Sequence, residues 1–293
     1  FSVGTELTNL WSGLGGNRWL RYHNITPGNF FGRPDESNSR HLCNLGRLQL
    51  PQVVLNSDLV ISDSSYNSRE IEDLVPGNTH VIPVLRDYEA LVQGQIESEL
   101  FNKISDRAIA TVLFVGRVAP NKCHHDILQI LALHKKISSR RVRVIFAGGY
   151  FSESYQTVIA EFAKSLGLKL SHQWDFDADV MSLGSVTNEE LTSLYKSATL
   201  YASMSEHEGF GVPIVESMYF DLPVYAHAAA AVPEVLGQGH FLVDKFNWVA
   251  ALDVFEKALF DETARSLELG RTRAWRRQFG LERARSMFLD LLA

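Results

Sequence analysis

The sequence predicts an α/β fold with two domains, each built around a parallel sheet. Short apolar runs that are typical of buried strands alternate with segments of helical periodicity, an order that favours parallel sheets joined by crossover helices. The chain of 293 residues reaches the size, about 250–300 residues, at which single cores usually divide. A polar stretch at 102–107 separates the two parts, so we place the first domain at residues 1–105 and the second at residues 106–274.

The first part contains three predicted strands, at residues 18–23, 58–62 and 79–85, and two predicted helices, at residues 37–56 and 65–74. Pro51 is expected to kink or break the first helix, because proline lacks the N–H that a helix interior needs. Only residues 1–17 precede the first strand, which is too short for the remaining strands of a doubly wound sheet. We therefore expect an incomplete first domain, with a sheet edge either exposed or covered by residues outside this chain.

The second part has a clearer alternation. Strands are predicted at residues 110–115, 142–147, 198–202 and 222–225, and helices at residues 127–137, 155–166, 213–222 and 232–236. Thr187 and Glu190 have the spacing of a capping box that begins a further helix. The chain from residue 250 onward reads as helical and ends in an arginine-rich amphipathic segment at residues 275–292.

Composition excludes several classes of protein. A net charge of −6 argues against a nucleic-acid-binding protein, which would carry a basic surface. Cys43 and Cys123 have neither the spacing of a zinc site nor that of a disulfide framework, and free cysteines fit a reducing cytoplasm. The sequence lacks an apolar run of the ~18 residues needed to cross a bilayer, and it lacks the features of a signal peptide.

The most informative segment is residues 205–216, Ser-Glu-His-Glu-Gly-Phe-Gly-Val-Pro-Ile-Val-Glu. It follows a predicted strand and leads through a glycine turn into a helix, where Pro213 suits a first helical position. Free N–H groups at such a helix start attract anions. Glu208 and Glu216 would repel a phosphate, so they are better suited to accept hydrogen bonds from hydroxyl groups. The alternative is an ordinary loop with two solvated glutamates.

A second segment, residues 116–122, directly follows the strand at 110–115 and reads Gly-Arg-Val-Ala-Pro-Asn-Lys. In a doubly wound sheet, ligands bind beyond the carboxyl ends of the strands. Arg117 can bind phosphate oxygens with two hydrogen bonds, and Lys122 can act as a mobile point charge. Taken alone, the segment could equally be a loop with two solvated cations.

Together, Gly-Arg-x4-Lys followed by Glu-x7-Glu with Gly-Phe-Gly inside it closely resembles the signature of the retaining nucleotide-sugar glycosyltransferases of the GT-B fold, family 4 type. The resemblance implies two Rossmann-like parallel-sheet domains facing a cleft, with the last helix, at residues 275–293, returning toward the first domain. It also implies transfer of a sugar from a nucleoside-diphosphate sugar to a hydroxyl group with retention of anomeric configuration, in polysaccharide or glycoconjugate biosynthesis.

The resemblance assigns roles to individual residues. Arg117 and Lys122 neutralise the leaving diphosphate, Glu208 contacts the donor sugar, Glu216 the ribose, and His23 faces the donor across the cleft. The implied catalytic residues are His23, Glu208, Arg117 and Lys122. The implied donor-binding residues are Gly116, Arg117, Lys122, Val186, Glu208, Gly209, Phe210, Gly211, Val212 and Glu216.

Several of these residues also have ordinary structural interpretations. An isolated histidine such as His23 is usually structural, and Phe210 fits a core position equally well. The loop at residues 184–191, which contains Val186, resembles the loop that reads the base, but a capped helix start explains it as well. Residues 228–231 are all alanine, where family members often carry Ser or Gly before the Pro-Glu pair, so a side-chain contact with phosphate is not expected there.

Neither a metal nor a cofactor is expected. Asp175-Phe176-Asp177 has the letters of a metal-binding pair, but it lies in a polar stretch that reads as a loop, and two cations with a helix N-terminus can replace the metal. The partners that the resemblance implies are a nucleoside-diphosphate sugar and a sugar or lipid-linked sugar acceptor. The implied location is the cytoplasm, with peripheral association at the inner membrane face as a further possibility. Two alternatives stay open: a non-catalytic nucleotide-sugar-binding module, and a GT-B epimerase or phosphorylase.

Overall fold

The computed structural model describes residues 1–106, 108–237, 239 and 241–292, and these residues form two parallel sheets. The first sheet has three strands in the order β1-β2-β3: β1 (Trp19–Tyr22), β2 (Leu59–Ser62) and β3 (Thr79–Val81). The second has seven strands in the order β10-β9-β8-β4-β5-β7-β6: β4 (Ile109–Val115), β5 (Arg141–Ala147), β6 (Leu170–Ser171), β7 (Val180–Ser182), β8 (Leu200–Ser203), β9 (Val224–His227) and β10 (Leu242–Val243).

The described residues also form thirteen α-helices, the first of which precedes β1. They are α1 (Thr8–Trp11), α2 (Ser37–Leu55), α3 (Ser65–Ile71), α4 (Tyr88–Val92), α5 (Ser98–Ile104), α6 (His124–Ile137), α7 (Glu153–Ser165), α8 (Asn188–Ser197), α9 (Val212–Tyr219), α10 (Val232–Leu236), α11 (Trp248–Phe260), α12 (Glu262–Trp275) and α13 (Leu281–Asp290).

The three strands predicted for the first part are confirmed, although β3 ends at Val81. Helix α2 continues through Pro51 to Leu55, so the predicted break does not occur. Its buried face, which includes Leu50 and Val54, packs in the core of the first sheet, and this packing outweighs the one backbone hydrogen bond that proline removes. Strand β1 lies at the edge of the sheet, where the His23 N–H donates to the carbonyl of Phe1 at 3.0 Å.

The strands predicted for the second part form its sheet, and the capping box of Thr187 and Glu190 begins α8. Three strands were not predicted, β6, β7 and β10, because each has only two or three residues and carries no periodic signal. The two faces of this sheet are covered by separate apolar layers, one containing Ile127 of α6 and the other Ile214 of α9.

Contacts at both ends of the second part connect it with the first. Helices α4 and α5 follow the first sheet in sequence, but Tyr88, Leu100 and Ile104 pack in an apolar layer of the second sheet. In the opposite direction, α13 places Ala284 against Ile61 and Ile82 of the first part.

The order of strands determines where a ligand can bind. From β4 the chain proceeds outward through β5 to one edge, then returns to β8 on the other side of β4. The loops after β4 and β8 therefore diverge at this point, and such a crevice is where doubly wound sheets bind ligands. These two loops contain the segments 116–122 and 205–211 that the sequence analysis selected.

Candidate functional site

The loops after β4 and β8 meet through an ion pair between Lys122 and Glu208. Lys122 ends the short 3-10 helix Pro120–Lys122, and its Nζ lies 2.6 Å from Oε1 of Glu208. Both side chains are largely buried, with 22% and 15% of their surface exposed. The sequence analysis selected both residues, and the fold brings them into direct contact across 86 residues of sequence.

A buried lysine, Lys245, stabilises the contact between the loops after β4 and β8. Lys245 Nζ donates to Asp126 Oδ2 at 2.8 Å and also contacts the Glu206 carboxylate, while the Glu206 N–H donates to the Asn121 carbonyl at 3.0 Å. Burial lowers the pKa of Lys245, but the hydrogen bonds to both carboxylates outweigh burial and raise the pKa above its usual value. Lys245 is only 4% exposed, so we regard it as a fixed cation that holds Asn121 and Lys122 next to the loop of Glu208. Its sequence position, after β10, gave no signal of this role.

Positions 209 and 211 each require glycine, but for different physical reasons. Gly211 has a φ of +87° at the N-cap of α9, a conformation that favours glycine, and Pro213 lies in the first helical turn as expected. Gly209 has no such dihedral, but a Cβ there would lie 2.6 Å from the His23 carbonyl oxygen. Gly211 therefore allows the turn into α9, and Gly209 allows the two domains to touch.

His23 lies at the end of β1 and is held by a buried carboxylate. Its Nδ1 lies 2.7 Å from Asp63 Oδ2, and the other oxygen of Asp63 accepts from Arg21 Nε at 2.8 Å. Asp63 is 3% exposed, whereas the His23 side chain is 47% exposed. The carboxylate thus fixes the ring orientation and leaves Nε2 on the open side.

Further cross-domain hydrogen bonds surround this contact. Ser64 Oγ donates to the Gly209 carbonyl at 2.7 Å, and His207 Nε2 lies 2.9 Å from Asn24 Oδ1. The Glu234 carboxylate accepts from the N–H groups of Ser65 and Tyr66 at 2.7 and 3.0 Å, at the N-terminus of α3. His207 was not among the residues selected from the sequence, since nothing in the local sequence around it or around Asn24 reveals a partner 183 residues away.

A reciprocal contact joins the domains at the start of α7. Ser152 Oγ donates to Glu36 at 2.9 Å, and Asp35 accepts from the N–H and hydroxyl of Ser154 at 3.0 and 2.6 Å. These hydrogen bonds lower the pKa of Asp35. Asp35 of the first domain thus lies at the N-terminus of α7, and Glu234 of the second domain lies at the N-terminus of α3. The helix dipole favours a carboxylate at both places.

Arg117 lies at an open cleft of about 650 Å³ next to the loops after β4 and β5. Its guanidinium lies 5.8 Å from the ring centre of Phe151, and no described carboxylate forms an ion pair with it. Gly116 and Val186 line the same cleft. A Cβ at Gly148 would lie 2.0 Å from the Gly116 carbonyl oxygen, so the loops after β4 and β5 touch through their backbones.

Glu216 and Phe210 are almost completely buried. Glu216 is 3% exposed, and its oxygens contact the Tyr195 hydroxyl at 2.5 Å and Arg86 Nη2 at 2.6 Å. Phe210 is 5% exposed and packs edge-on against Phe279, with ring centres 5.6 Å apart, so it is a core aromatic.

Potential metal ligands come together in one place within the described part of the chain. Cys123, His125 and Asp126 have ligand atoms within 4.8 Å of one another. However, the Lys245 ammonium already occupies the Asp126 carboxylate, and burial raises the pKa of the Cys123 thiol to about 11, so that it is protonated at neutral pH. In the Asp175-Phe176-Asp177 segment, which the sequence analysis considered as a metal-binding pair, Asp175 forms an ion pair with Lys169, whose Nζ lies 3.0 Å from Oδ2 of the carboxylate.

Comparison with known proteins supports the interpretation of the fold. The profile of the family described as "Glycosyl transferases group 1" matches residues 97–272, more than half of the chain. The chain belongs to this family.

Two relatives with assigned activities resemble the chain. It is 25% identical to O-antigen chain mannosyltransferase B of Escherichia coli, over 72% of this chain and 49% of that protein. It is 27% identical to D-inositol 3-phosphate glycosyltransferase of Corynebacterium diphtheriae, over 80% of this chain and 54% of that protein. The chain thus spans about half the length of these relatives.

Solved structures of related architecture cover nearly the whole chain. The structure of sucrose-phosphate synthase of Thermosynechococcus elongatus superposes on our chain with a TM-score of 0.73 and 18% sequence identity. The match covers 97% of our chain and 69% of the synthase chain. Anabaena HepE, solved in complex with UDP and glucose, matches 94% of this chain and 71% of its own, with a TM-score of 0.74 and 18% identity. The predicted GT-B fold is thereby confirmed. None of the described helices has the length and apolar character needed to cross a membrane.

Proposed function

We propose that this chain carries the catalytic cleft of a glycosyltransferase that moves a sugar from a nucleoside-diphosphate sugar to a hydroxyl acceptor. The observation that carries the proposal is the Lys122–Glu208 pair, 2.6 Å apart, next to the N-terminus of α9. A cation and a helix N-terminus suit a diphosphate, and an adjacent carboxylate suits sugar hydroxyls. The donor-binding roles of Gly116, Val186, Gly209, Gly211 and Val212 belong to the same proposal, as does that of Phe210, which would act through its backbone N–H because its ring lies in the core.

The diphosphate is expected to bind between the loops after β4 and β8. Arg117 has an exposed guanidinium without a carboxylate partner among the described residues, so it is free to form two hydrogen bonds with phosphate oxygens. Lys122 would exchange part of its contact with Glu208 for the diphosphate. Two cations and the α9 dipole can stabilise the negative charge that develops on the leaving group, and we therefore propose transfer without a metal ion.

We propose retention by attack on the same face from which the diphosphate leaves. The acceptor oxygen bonds to the anomeric carbon, the bond from that carbon to the diphosphate oxygen breaks, and this oxygen takes the acceptor proton. His23, oriented by Asp63 at 2.7 Å, is positioned to hydrogen-bond a donor hydroxyl through Nε2. Glu208 would orient the donor sugar while paired with Lys122.

The comparisons support the substrate class without fixing it. One neighbour of the same fold was solved with UDP-glucose, and two relatives are named for a mannosyl transfer and for a phosphorylated inositol. As a further part of the same hypothesis, we propose that the acceptor is a sugar or a lipid-linked sugar of glycoconjugate biosynthesis, and that the protein reaches it at the inner membrane face.

The deciding experiment measures the release of nucleoside diphosphate from UDP-glucose and GDP-mannose. The protein is assayed with and without a panel of sugar acceptors, in the presence and absence of EDTA, and the product linkage is read by NMR. Acceptor-dependent release that survives EDTA and gives the donor's anomeric configuration supports the proposal. Binding without release would support a binding module, and an epimerised donor would support a GT-B epimerase.

A further inference from the structure

A second pocket lies at the edge of the second sheet opposite the cleft. It has a volume of about 240 Å³ and is lined by the beginnings of β4 and β5, by the turn before β5, and by residues 176–179. Strand β4 has seven residues, so its two ends are about 20 Å apart. The pocket is therefore separate from the proposed donor site.

Arg143 is the unusual residue of this pocket. It is only 3% exposed, and its guanidinium donates through Nε to Thr111 Oγ1 at 2.9 Å and through Nη2 to the Lys103 carbonyl at 3.2 Å. Both acceptors are neutral, and the ring of Phe176 lies 5.3 Å from the guanidinium. Burial lowers the pKa of Arg143, an effect that the charge of Asp106 partly opposes.

The charge of Arg143 lacks a carboxylate partner within ion-pair distance among the residues that the structure describes, and its Nη1 has no hydrogen-bond acceptor there. Buried arginines are almost always paired, because removing a cation from water is costly unless an anion compensates it. Since Arg143 lines the pocket, an anion inside the pocket could supply the missing partner.

The surroundings favour an anion as well. The lining carries a formal charge of +2, in a chain of net charge −6, because it contains four cationic side chains and two acidic ones: Lys135, Arg140, Arg141 and Arg143, and Asp177 and Asp179. Asp179 already accepts from Lys135 Nζ at 2.6 Å and from the Lys169 N–H at 2.8 Å. The hydroxyl groups of Ser138 and Ser139 add neutral donors at the rim.

We propose that this pocket is a binding site for a small phosphorylated anion, with Arg143 at its base and Arg141 at its rim. The volume suits a phosphate or a phosphorylated monosaccharide rather than a nucleotide. The site does not depend on the proposed transferase activity, since it shares no residue with the donor cleft.

Hydrogen exchange measured by mass spectrometry tests the proposal, with inorganic phosphate as the probe. Phosphate is expected to slow exchange in peptides that cover residues 135–145 and 174–180. The variant Arg141→Ser is expected to bind phosphate about tenfold more weakly, because it loses a charge-assisted hydrogen bond. Arg285→Ser removes another exposed arginine, on α13, and serves as the matched control.

Arg143→Lys keeps the buried charge but loses the fork of donors, and it should weaken phosphate binding while its circular dichroism stays native. Glucose 6-phosphate in place of phosphate distinguishes a phosphorylated sugar from the free ion, since tighter binding would show that the pocket also holds the sugar. Protection confined to residues 116–124, or phosphate binding that is unchanged in both Arg141→Ser and Arg143→Lys, would overturn the proposal.

Discussion

Gly209 lies so close to the His23 backbone that a Cβ at this position would be 2.6 Å from the His23 carbonyl oxygen. The same Gly209 accepts a hydrogen bond from Ser64 of the first domain at 2.7 Å. The Gly-Phe-Gly turn is therefore part of the contact between the two domains, and its first glycine positions His23 next to the loop of Glu208.

We predict that Gly209→Ala separates these domains. The clash involves backbone atoms that cannot rotate away, so the substitution should lower the free energy of unfolding by about 1–3 kcal/mol and reduce transfer. Gly15→Ala is the matched control, because nothing lies within 4 Å of a Cβ at that glycine. Urea unfolding together with the rate of nucleoside-diphosphate release checks the prediction, and equal results for both variants would contradict it.

The two proposed phosphate-binding cations give a second prediction. Lys122→Met and Arg117→Met should each weaken donor binding by about 2–5 kcal/mol, because each removes a cation next to a phosphate. Isothermal titration with UDP and GDP measures the effect, with Arg69→Met on α3 as a control. Unchanged affinity in both variants would remove the loop after β4 from the site.

The sequence predicted the second domain better than the first, and the difference has a physical cause. Strand β4 and helix α9 are encoded locally, by a run of apolar residues and by a glycine turn with Pro213. The cross-domain contacts are not, since Glu234 and Ser65 are separated by 169 residues and their pairing depends on the complete fold. For the same reason, the sequence did not reveal that Arg86 would form an ion pair with Glu216.

The two glutamates of the Glu-x7-Glu segment should behave differently. Glu216→Gln is expected to weaken the binding of free nucleoside diphosphate, if Glu216 holds the ribose with its remaining lone pairs, whereas Glu208→Gln should spare the nucleotide and slow transfer. Identical nucleotide titrations for the two variants would contradict these roles.

Tyr195→Phe separates binding from stability at Glu216. It removes the 2.5 Å hydrogen bond to the carboxylate without changing any group that faces the ribose in the proposal. We expect a loss of about 1–3 kcal/mol in stability, because it leaves a buried acceptor with one partner fewer. Its affinity for nucleotide should stay close to that of the unmodified protein.

Lys245 should be more important for stability than any surface ion pair. Lys245→Met leaves the Asp126 carboxylate buried without its cation, so a loss of about 3–5 kcal/mol is expected in urea unfolding. Glu206→Gln removes the more exposed partner and should cost at most about 1 kcal/mol. If Lys245→Met unfolds at the same urea concentration as the unmodified protein, the lysine does not hold the two loops together.

Acid stability should depend on His124, which is completely buried and packs edge-on against Phe114 and Phe146, with ring centres at 4.3 and 4.8 Å. Burial lowers the pKa of His124 from 6.5 to about 3, so the folded protein keeps this ring neutral while the unfolded chain takes up a proton. The stability that His124 contributes is complete above pH 6.5 and is lost as the pH falls toward 3, by up to about 1.4 kcal/mol per pH unit.

The variant His124→Leu removes this titration and keeps the site apolar. Its free energy of unfolding should therefore decrease less between pH 6.5 and pH 4 than that of the unmodified protein, even if it is lower at pH 7. His41→Asn, at an exposed position on α2, is the control and should leave the slope unchanged. Because the burial of His125 and His207 also lowers their pKa values, some acid sensitivity must remain in His124→Leu. Parallel pH profiles for His124→Leu and the unmodified protein would show that the ring at position 124 does not titrate on unfolding.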